Sequence, residues 1–416
     1  MHQGSWSPLA PELPFCDLQA AHAAQASTTE AALLRVARSG QYVLGPEVEG
    51  FEREFARVCA ARYVVGVGSG TAALALILTA AGIGPGDEVI VPAYTAAATW
   101  MAVTEAGAKP VGAEVSVETG LIDPSAASAA VGRRTAAIVG VDLFGRLAPF
   151  AELSVVARRN GLLLVEDAAH AAGVSERAGP AGSLADAAAF SFYPTKPLGG
   201  LGDGGAVATT SEELAGAVRR LRSYGWATWQ GQAAAPGGNS RLDELQAAVL
   251  RDRLERLPHA HARLSELGRL YREGLADLDD LSLPPAPPGG EPPWHQFAVL
   301  SDERDRLRAG LAAAGVGSAV HYDPIPPRLS AFSPMPDFPR AETRAGRTVS
   351  LPFDWWLSDA QALRACEAVH HSVNGKTERS SNMSSGSKSP SAKTSIAVSA
   401  SQISISCQTD GSISND

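Results

Sequence analysis

The sequence predicts an α/β fold: a mainly parallel sheet covered by helices on both faces, followed by a smaller C-terminal α/β region. Three observations predict it. Short apolar runs alternate with helical ones from about residue 60 to residue 210. Those runs are continuously apolar, as strands buried on both faces are. At 416 residues, the chain also exceeds what one hydrophobic core usually supports.

In chain order, AALLRVARSG and PEVEGFEREFARVCA read as helical over residues 30 to 60. YVVGVGSG reads as a strand and turn, followed by the helix TAALALILTAAG, which Gly82 and Gly84-Pro85-Gly86 stop. EVIVPAYT precedes the helix AAATWMAVTEAG. AAIVGVDLFG precedes AELSVVARRNG. LLLVEDAAH, AAAFSFYPTK and GGAVATT supply further strands. Residues 241–275 read as long helices with a break at Pro258. After the Pro-rich stretch 283–298, FAVLS, RDRLRAGLAAAGV and SAVHYDP suggest a second α/β region. The organisation expected is an N-terminal extension over 1–28, a large domain over 29–255, a small domain over 256–372 and a disordered Ser-rich tail over 373–416.

Composition narrows the function. A net charge of −9 argues against nucleic acid or an anionic membrane as the main partner. Cys16, Cys59, Cys366 and Cys407 match no metal or redox spacing and read as free thiols. The N-terminal MHQGSWSPLAPELPF lacks a basic region followed by an apolar one, and ALALILTAAG is too short to span a bilayer, so a soluble cytoplasmic protein is expected. His259, His261 and the pair His370-His371 read as surface residues rather than metal ligands. Up to residue 375 the chain carries only Lys109 and Lys196, although arginine is plentiful. A lysine retained where arginine is the habit points to chemistry that arginine cannot do, imine formation above all.

In parallel α/β sheets, ligands bind at the carboxyl ends of strands. Gly68–Thr71, Tyr94-Thr95, Asp167–His170 and Ser191–Lys196 all fall there. Lys196 follows a strand and precedes a Gly-rich turn. Asp167 ends the strand LLLVED; a carboxylate there can keep a ring nitrogen protonated, or simply cap the next helix. Gly66-Val67-Gly68-Ser69-Gly70-Thr71 opens a helix whose first N–H groups suit a phosphate. Its spacing is GxGxG, which does not match the dinucleotide pattern.

Taken together, YVLGPEVEGFEREFA, GVGSGTAALALIL, GDEVIVPAYT, VEDAAHAAG, AFSFYPTKPLGGLGDGGAV, NSRLDELQAAVL, VHYDPIP and VSLPF resemble the nucleotide-sugar aminotransferases of the DegT/StrS type, within the fold-type-I pyridoxal-phosphate enzymes. The resemblance covers about residues 15 to 370 and implies a mainly parallel seven-stranded sheet sandwiched by helices. It implies pyridoxal 5'-phosphate as cofactor, carried on Lys196, with Asp167 at the pyridine nitrogen and His170 near the ring hydroxyl. Ala169 would lie on one ring face. Gly70, Thr71, Ala72 and Ser191 would hold the phosphate, and Asn239 would reach the phosphate of the other subunit of a homodimer. Tyr193, His321 and Tyr322 would contact substrate.

The implied reaction moves an amino group from L-glutamate onto a nucleotide-linked keto sugar in deoxysugar and antibiotic biosynthesis. NSRLDELQAA with RSYGW upstream resembles members acting on dTDP-3-keto-6-deoxyhexoses. A 4-keto sugar, a cyclitol or aminobenzoate-type substrate, and a non-catalytic cofactor-binding regulator are the alternatives. Dehydratases of the family have His in place of the lysine, which Lys196 argues against. Two departures stand out. Ala96 occupies a position where the family has a ring-stacking aromatic, for which Tyr94 or Trp100 could substitute. HYDPIPPR also carries Asp323, and Arg328 where a His is common.

Overall fold

The structure, a computed structural model, describes residues 11–226, 232–233 and 236–374. The serine-rich segment from residue 375 onward, including Cys407, lies outside the described residues.

Seven strands form the main sheet: β1 (Tyr63–Val67), β2 (Glu88–Pro92), β3 (Lys109–Ala113), β4 (Thr135–Val141), β5 (Leu163–Asp167), β8 (Ala187–Ser191) and β9 (Gly205–Thr209). Between β5 and β8, the short strands β6 (Ser175–Glu176) and β7 (Gly179–Pro180) make a separate hairpin. The order across the main sheet is β1-β9-β8-β5-β4-β2-β3. Only β9 runs antiparallel to its neighbours, so the other six strands share one direction.

Side chains alternate across this sheet as strand geometry requires. Val65, Val89, Val139, Val165 and Ala187 join one core with the helices Gly70–Ala80 and Ala97–Glu105. Val64, Ala188, Phe190 and Ala208 pack on the other face with Phe51 and Phe55. Ile90, Ile138 and Leu164 extend that second face against Phe150 and Leu153 of the helix Phe150–Asn160. Because both faces are covered, the strands of this sheet read in sequence as continuous apolar runs rather than as a polar alternation.

Buried polar contacts tie distant segments to the site end of the sheet. The Glu244 carboxylate accepts the N–H groups of Gly45, Glu47 and Val48 at 2.8, 2.9 and 2.9 Å. It thereby caps the start of the helix Pro46–Val58, where an anion is favoured. Arg222 donates to Glu52 at 2.9 Å and to the Gly66 carbonyl at 2.7 Å, while Glu52 accepts the Gly66 N–H at 2.8 Å. Ser240 Oγ accepts the Gly68 N–H at 3.0 Å. Ser240 of NSRL thus braces the loop that follows β1, Glu52 and Arg222 hold Gly66 in that strand, and Glu244 of DELQ fixes the helix that begins in GPEVE.

The helix Glu244–Gly274 runs 31 residues, with Pro258 inside it. The break expected at Pro258 is therefore not there. Proline removes a single helical hydrogen bond, and burial of Leu257, Ala260, Leu264 and Leu267 on either side offsets that loss. The far half of this helix joins a second core. It packs on an antiparallel three-stranded sheet of β10 (Leu281–Ser282), β11 (Ala298–Ser301) and β12 (Thr348–Ser350). Tyr271, Phe297, Val299, Val349 and Leu351 fill that core, and the helix Asp359–Asn374 closes it. His261, expected at the surface, is instead tucked against Gly173, and burial pulls its pKa down to about 4. His259 is exposed.

Candidate active site

The carboxyl ends of β1, β2, β4, β5 and β8 surround a cavity of about 280 Å³. Ser69, Gly70 and Thr71 reach it from β1; Thr95, Ala96 and Thr99 from β2; and Val141 from β4. Asp167, Ala169 and His170 come from β5, and Ser191, Tyr193 and Lys196 from β8. This is the edge where strand direction alone places ligands.

The loop after β1 builds an anion cradle. Ser69 caps the helix Gly70–Ala80, its Oγ accepting the Ala72 N–H at 3.1 Å and its carbonyl accepting the Ala73 N–H at 2.9 Å. The N–H groups of Gly70 and Thr71 have no partner among the described residues and remain at the positive end of the helix. Ser191 closes the cradle from β8. A Cβ on Gly70 would stand 2.7 Å from the Ser191 Cβ, so only glycine lets the helix start this close to the strand. Ala72, expected to share in phosphate binding, does not line the cavity, because Ser69 has taken its N–H.

Asp167 sits at the floor, on the same face of β5 as Val165. Its Oδ2 accepts from Thr99 Oγ1 at 2.8 Å and its Oδ1 from the Ala169 N–H at 3.2 Å. Burial raises its pKa, opposed by those two hydrogen bonds and by the charge of Lys196. The backbone N–H of Phe144 donates to His170 Nδ1 at 3.2 Å, so in the neutral ring the proton sits on Nε2. Burial, reinforced by the positive charge of Lys196, holds this imidazole well below its usual range and therefore uncharged.

Lys196 stands over the floor. Burial lowers its pKa from 10.5 to about 8, with Asp167 pulling the other way. The lowered pKa gives Lys196 a far larger share of nucleophilic amine near neutrality than an ordinary lysine has. Competitive labelling with an amine-acylating reagent, followed by peptide mass spectrometry, should show Lys196 reactivity rising with pH to a midpoint near 8. A midpoint near 10.5 would mean that the side chain is not desolvated.

Lys196 also borders a second cavity, of about 380 Å³, on its other side. Its walls include His295, Gln296 and His321, the aromatic residues Phe15, Trp355 and Trp356, and Arg253 and Arg256. Lys196 is thus at the junction of the two spaces.

The structure brings together most of the residues singled out in the sequence. Gly70, Thr71, Asp167, Ala169, His170, Ser191, Tyr193 and Lys196 share the first cavity, and His321 lines the second. Tyr322 lines neither; its ring packs between Tyr94 and Phe144, with centroids 6.3 Å from each. Asn239 is exposed and absent from both linings. Tyr94 and Trp100 do not replace an aromatic at Ala96. Tyr94 is fully buried, its hydroxyl on the His321 carbonyl and on Thr348 Oγ1. Trp100 donates to the Pro92 carbonyl at 2.9 Å and packs on Phe332. Sequence reasoning placed Thr95 past a strand end but gave it no role, and passed over Thr99, Val141, His295 and Gln296. The spacing of Thr95 and Thr99, one helical turn apart just past a strand end, is the signal that could have found that pair.

A phosphate cradle, a buried carboxylate and a lysine with an available amine, arranged around one cavity, fit pyridoxal phosphate. The residues 24–370 match the DegT/DnrJ/EryC1/StrS aminotransferase family.

The chain belongs to that family.

It is 46% identical over 364 residues to a dTDP-3-amino-3,4,6-trideoxy-alpha-D-glucose transaminase of Streptomyces venezuelae, covering 86% of this chain and 96% of that one. The crystal structure of S. venezuelae DesV in complex with a ketimine intermediate superposes with a TM-score of 0.84 at 45% identity, covering 87% of this chain and 98% of the other. NtdA of Bacillus subtilis, solved with bound cofactor PMP, matches with a TM-score of 0.82 at 27% identity, covering 88% and 86%. This aminotransferase uses pyridoxal phosphate and has the fold of the pyridoxal-phosphate aminotransferases. Among the described residues, no helix is long and apolar enough to cross a membrane.

Proposed function

We propose that this aminotransferase transfers the amino group of L-glutamate to the keto carbon of a dTDP-linked 3-keto-6-deoxyhexose, as a cytoplasmic homodimer. The observation that carries the reading is the position of Lys196, between the cradled cavity and a second space large enough to admit a substrate. The identity to a relative named for a dTDP-3-amino sugar supports the substrate class.

Gly70, Thr71 and Ser191 would hold the cofactor's phosphate, Ala169 would lie on the ring side of the cavity, and His170 would offer its Nε2–H to a ring oxygen. Asp167, already in place among two hydrogen bonds, keeps the ring nitrogen protonated. Bound there, pyridoxal phosphate supplies an electron sink that makes the proton on the nitrogen-bearing carbon acidic. Lys196 Nζ takes that proton from the donor's α-carbon in the first half-reaction. In the second it delivers a proton to the former carbonyl carbon of the sugar. His321 lines the substrate space, Tyr193 faces it from the cofactor cavity, and Tyr322 lies behind, packed between Tyr94 and Phe144. Asn239, exposed and absent from the linings of both cavities, would reach the phosphate of the partner subunit.

Ala96 leaves one side of the ring without an aromatic neighbour. Restoring one should add about 1 kcal/mol of stacking, roughly a fivefold tighter hold on the cofactor. Equilibrium dialysis of pyridoxal phosphate against Ala96→Phe and the parent protein measures the difference, and an unchanged affinity would mean that the ring does not lie beside Ala96.

The substrate reading is tested with a panel of dTDP-linked keto sugars, scoring aminated product by mass. The 3-keto-6-deoxyhexoses should react with the highest kcat/KM. Preference for 4-keto sugars would move the reacting position, and inertness toward every nucleotide sugar would overturn the proposal.

A further inference from the structure

Among the polar groups around Lys196, His295 and Gln296 stand apart. The buried polar side chains of the first cavity have a protein partner or a role in holding the cofactor, whereas these two line the second. The His295 imidazole makes no hydrogen bond among the described residues, although its backbone N–H is fixed on the Phe144 carbonyl at 2.9 Å. Its ring lies 4.6 Å from that of His170, centroid to centroid. His170 lines the first cavity and His295 the second, so the two rings form part of the partition between them. Gln296 is next. Its Nε2 lies 3.4 Å from His321 Nε2, and its Oε1 is buried without a partner. A buried acceptor without a partner destabilises the fold unless something arrives to satisfy it.

The chemistry of these groups selects what arrives. Burial, then the charges of Lys196 and His321, keep His295 uncharged, so its ring offers one donor and one acceptor. Gln296 Oε1 offers an acceptor alone. The His321 ring is anchored through Nδ1 to Ser350 Oγ at 2.9 Å. A carboxylate of an amino-acid donor gains nothing from an amide oxygen and calls for a cation instead. A hydroxyl, which both donates and accepts, satisfies His295 and Gln296 together.

We propose that His295 is a specificity-determining residue for the sugar half-reaction, its imidazole hydrogen-bonding, together with Gln296 Oε1, a sugar hydroxyl near the keto carbon. This role rests on the keto-sugar reading above. It is distinct from the work of Lys196, because His295 recognises only the acceptor and leaves the amino donor untouched.

The test separates the two half-reactions in the full-length, cofactor-loaded protein. The cofactor's visible absorbance is lost when it takes up the donor's amino group and regained when it passes that group on. Rapid mixing with L-glutamate, then with the dTDP-keto sugar, gives each rate. His295→Phe should slow the sugar half-reaction about tenfold or more and change the glutamate half-reaction by less than about twofold. His295→Asn, which keeps a donor and an acceptor, should recover part of the sugar rate. The glutamate step serves as the control that the variants fold and bind cofactor. Equal slowing of both half-reactions, or Asn behaving like Phe, would overturn the inference. If the parent protein accepts the amino group of glutamate but never passes it to a keto sugar, the sugar reading itself fails and the role of His295 with it.

Discussion

Lys196→Ala is expected to lose aminotransferase activity by on the order of 10⁴-fold or more, because one side chain carries both the amine chemistry and the proton transfer. Lys196→Arg should be equally inactive. It keeps the charge, yet a guanidinium neither forms an imine nor gives up a proton near neutral pH. Lys196→Ala should be no less stable than the parent in thermal unfolding. The ammonium is desolvated in the folded state, so its removal relieves a cost. Cofactor should still bind through the cradle of Gly70, Thr71 and Ser191, but should be removed by simple dialysis. Steady-state kinetics, melting curves and dialysis together check the prediction. An active arginine variant would contradict the role of the amine.

Asp167→Asn is the second large effect, a loss of about 10²–10³-fold. The substitution is isosteric, so the floor of the cavity keeps its shape. What disappears is the negative charge beside the ring nitrogen, and with it the protonated state on which the electron sink depends. The side-chain amide of Asn also cannot accept from both Thr99 and the Ala169 N–H as the carboxylate does. Both half-reactions should slow together, which distinguishes this variant from His295→Phe. Thr99→Val should produce a smaller loss of about tenfold by freeing one oxygen of Asp167. An Asp167→Asn protein with unimpaired turnover would remove the carboxylate from the mechanism.

Much of this site was legible because its parts lie at the ends of strands, and strands buried on both faces announce themselves. YVVGV, EVIVP, LLLVED and AAAFS placed Gly70, Asp167 and Lys196 at one edge before any contact was known. The scarcity of lysine then singled out Lys196. What sequence could not supply was the direction of side chains from remote segments. Tyr94 and Trp100 sit near Ala96 in the chain, yet one is committed to His321 and Thr348 and the other to Pro92 and Phe332. Ala72 lies within the expected cradle but gives its N–H to Ser69. His295 lies in the Pro-rich stretch, which has no local periodicity, and only tertiary packing brings it to Lys196. Pro258 looked like a break because proline costs a helix bond. The apolar residues on either side of it decided otherwise, and no local rule weighs burial against that cost.

The most direct test of the account follows the nitrogen itself. The purified protein, loaded with pyridoxal phosphate, is incubated with nitrogen-labelled L-glutamate and a dTDP-3-keto-6-deoxyhexose, and the nucleotide sugar is recovered for mass spectrometry. The account predicts that the label appears in the sugar, with release of one 2-oxoglutarate for each amino sugar formed. A nucleotide sugar that stays unlabelled while the protein remains folded and cofactor-bound would contradict it.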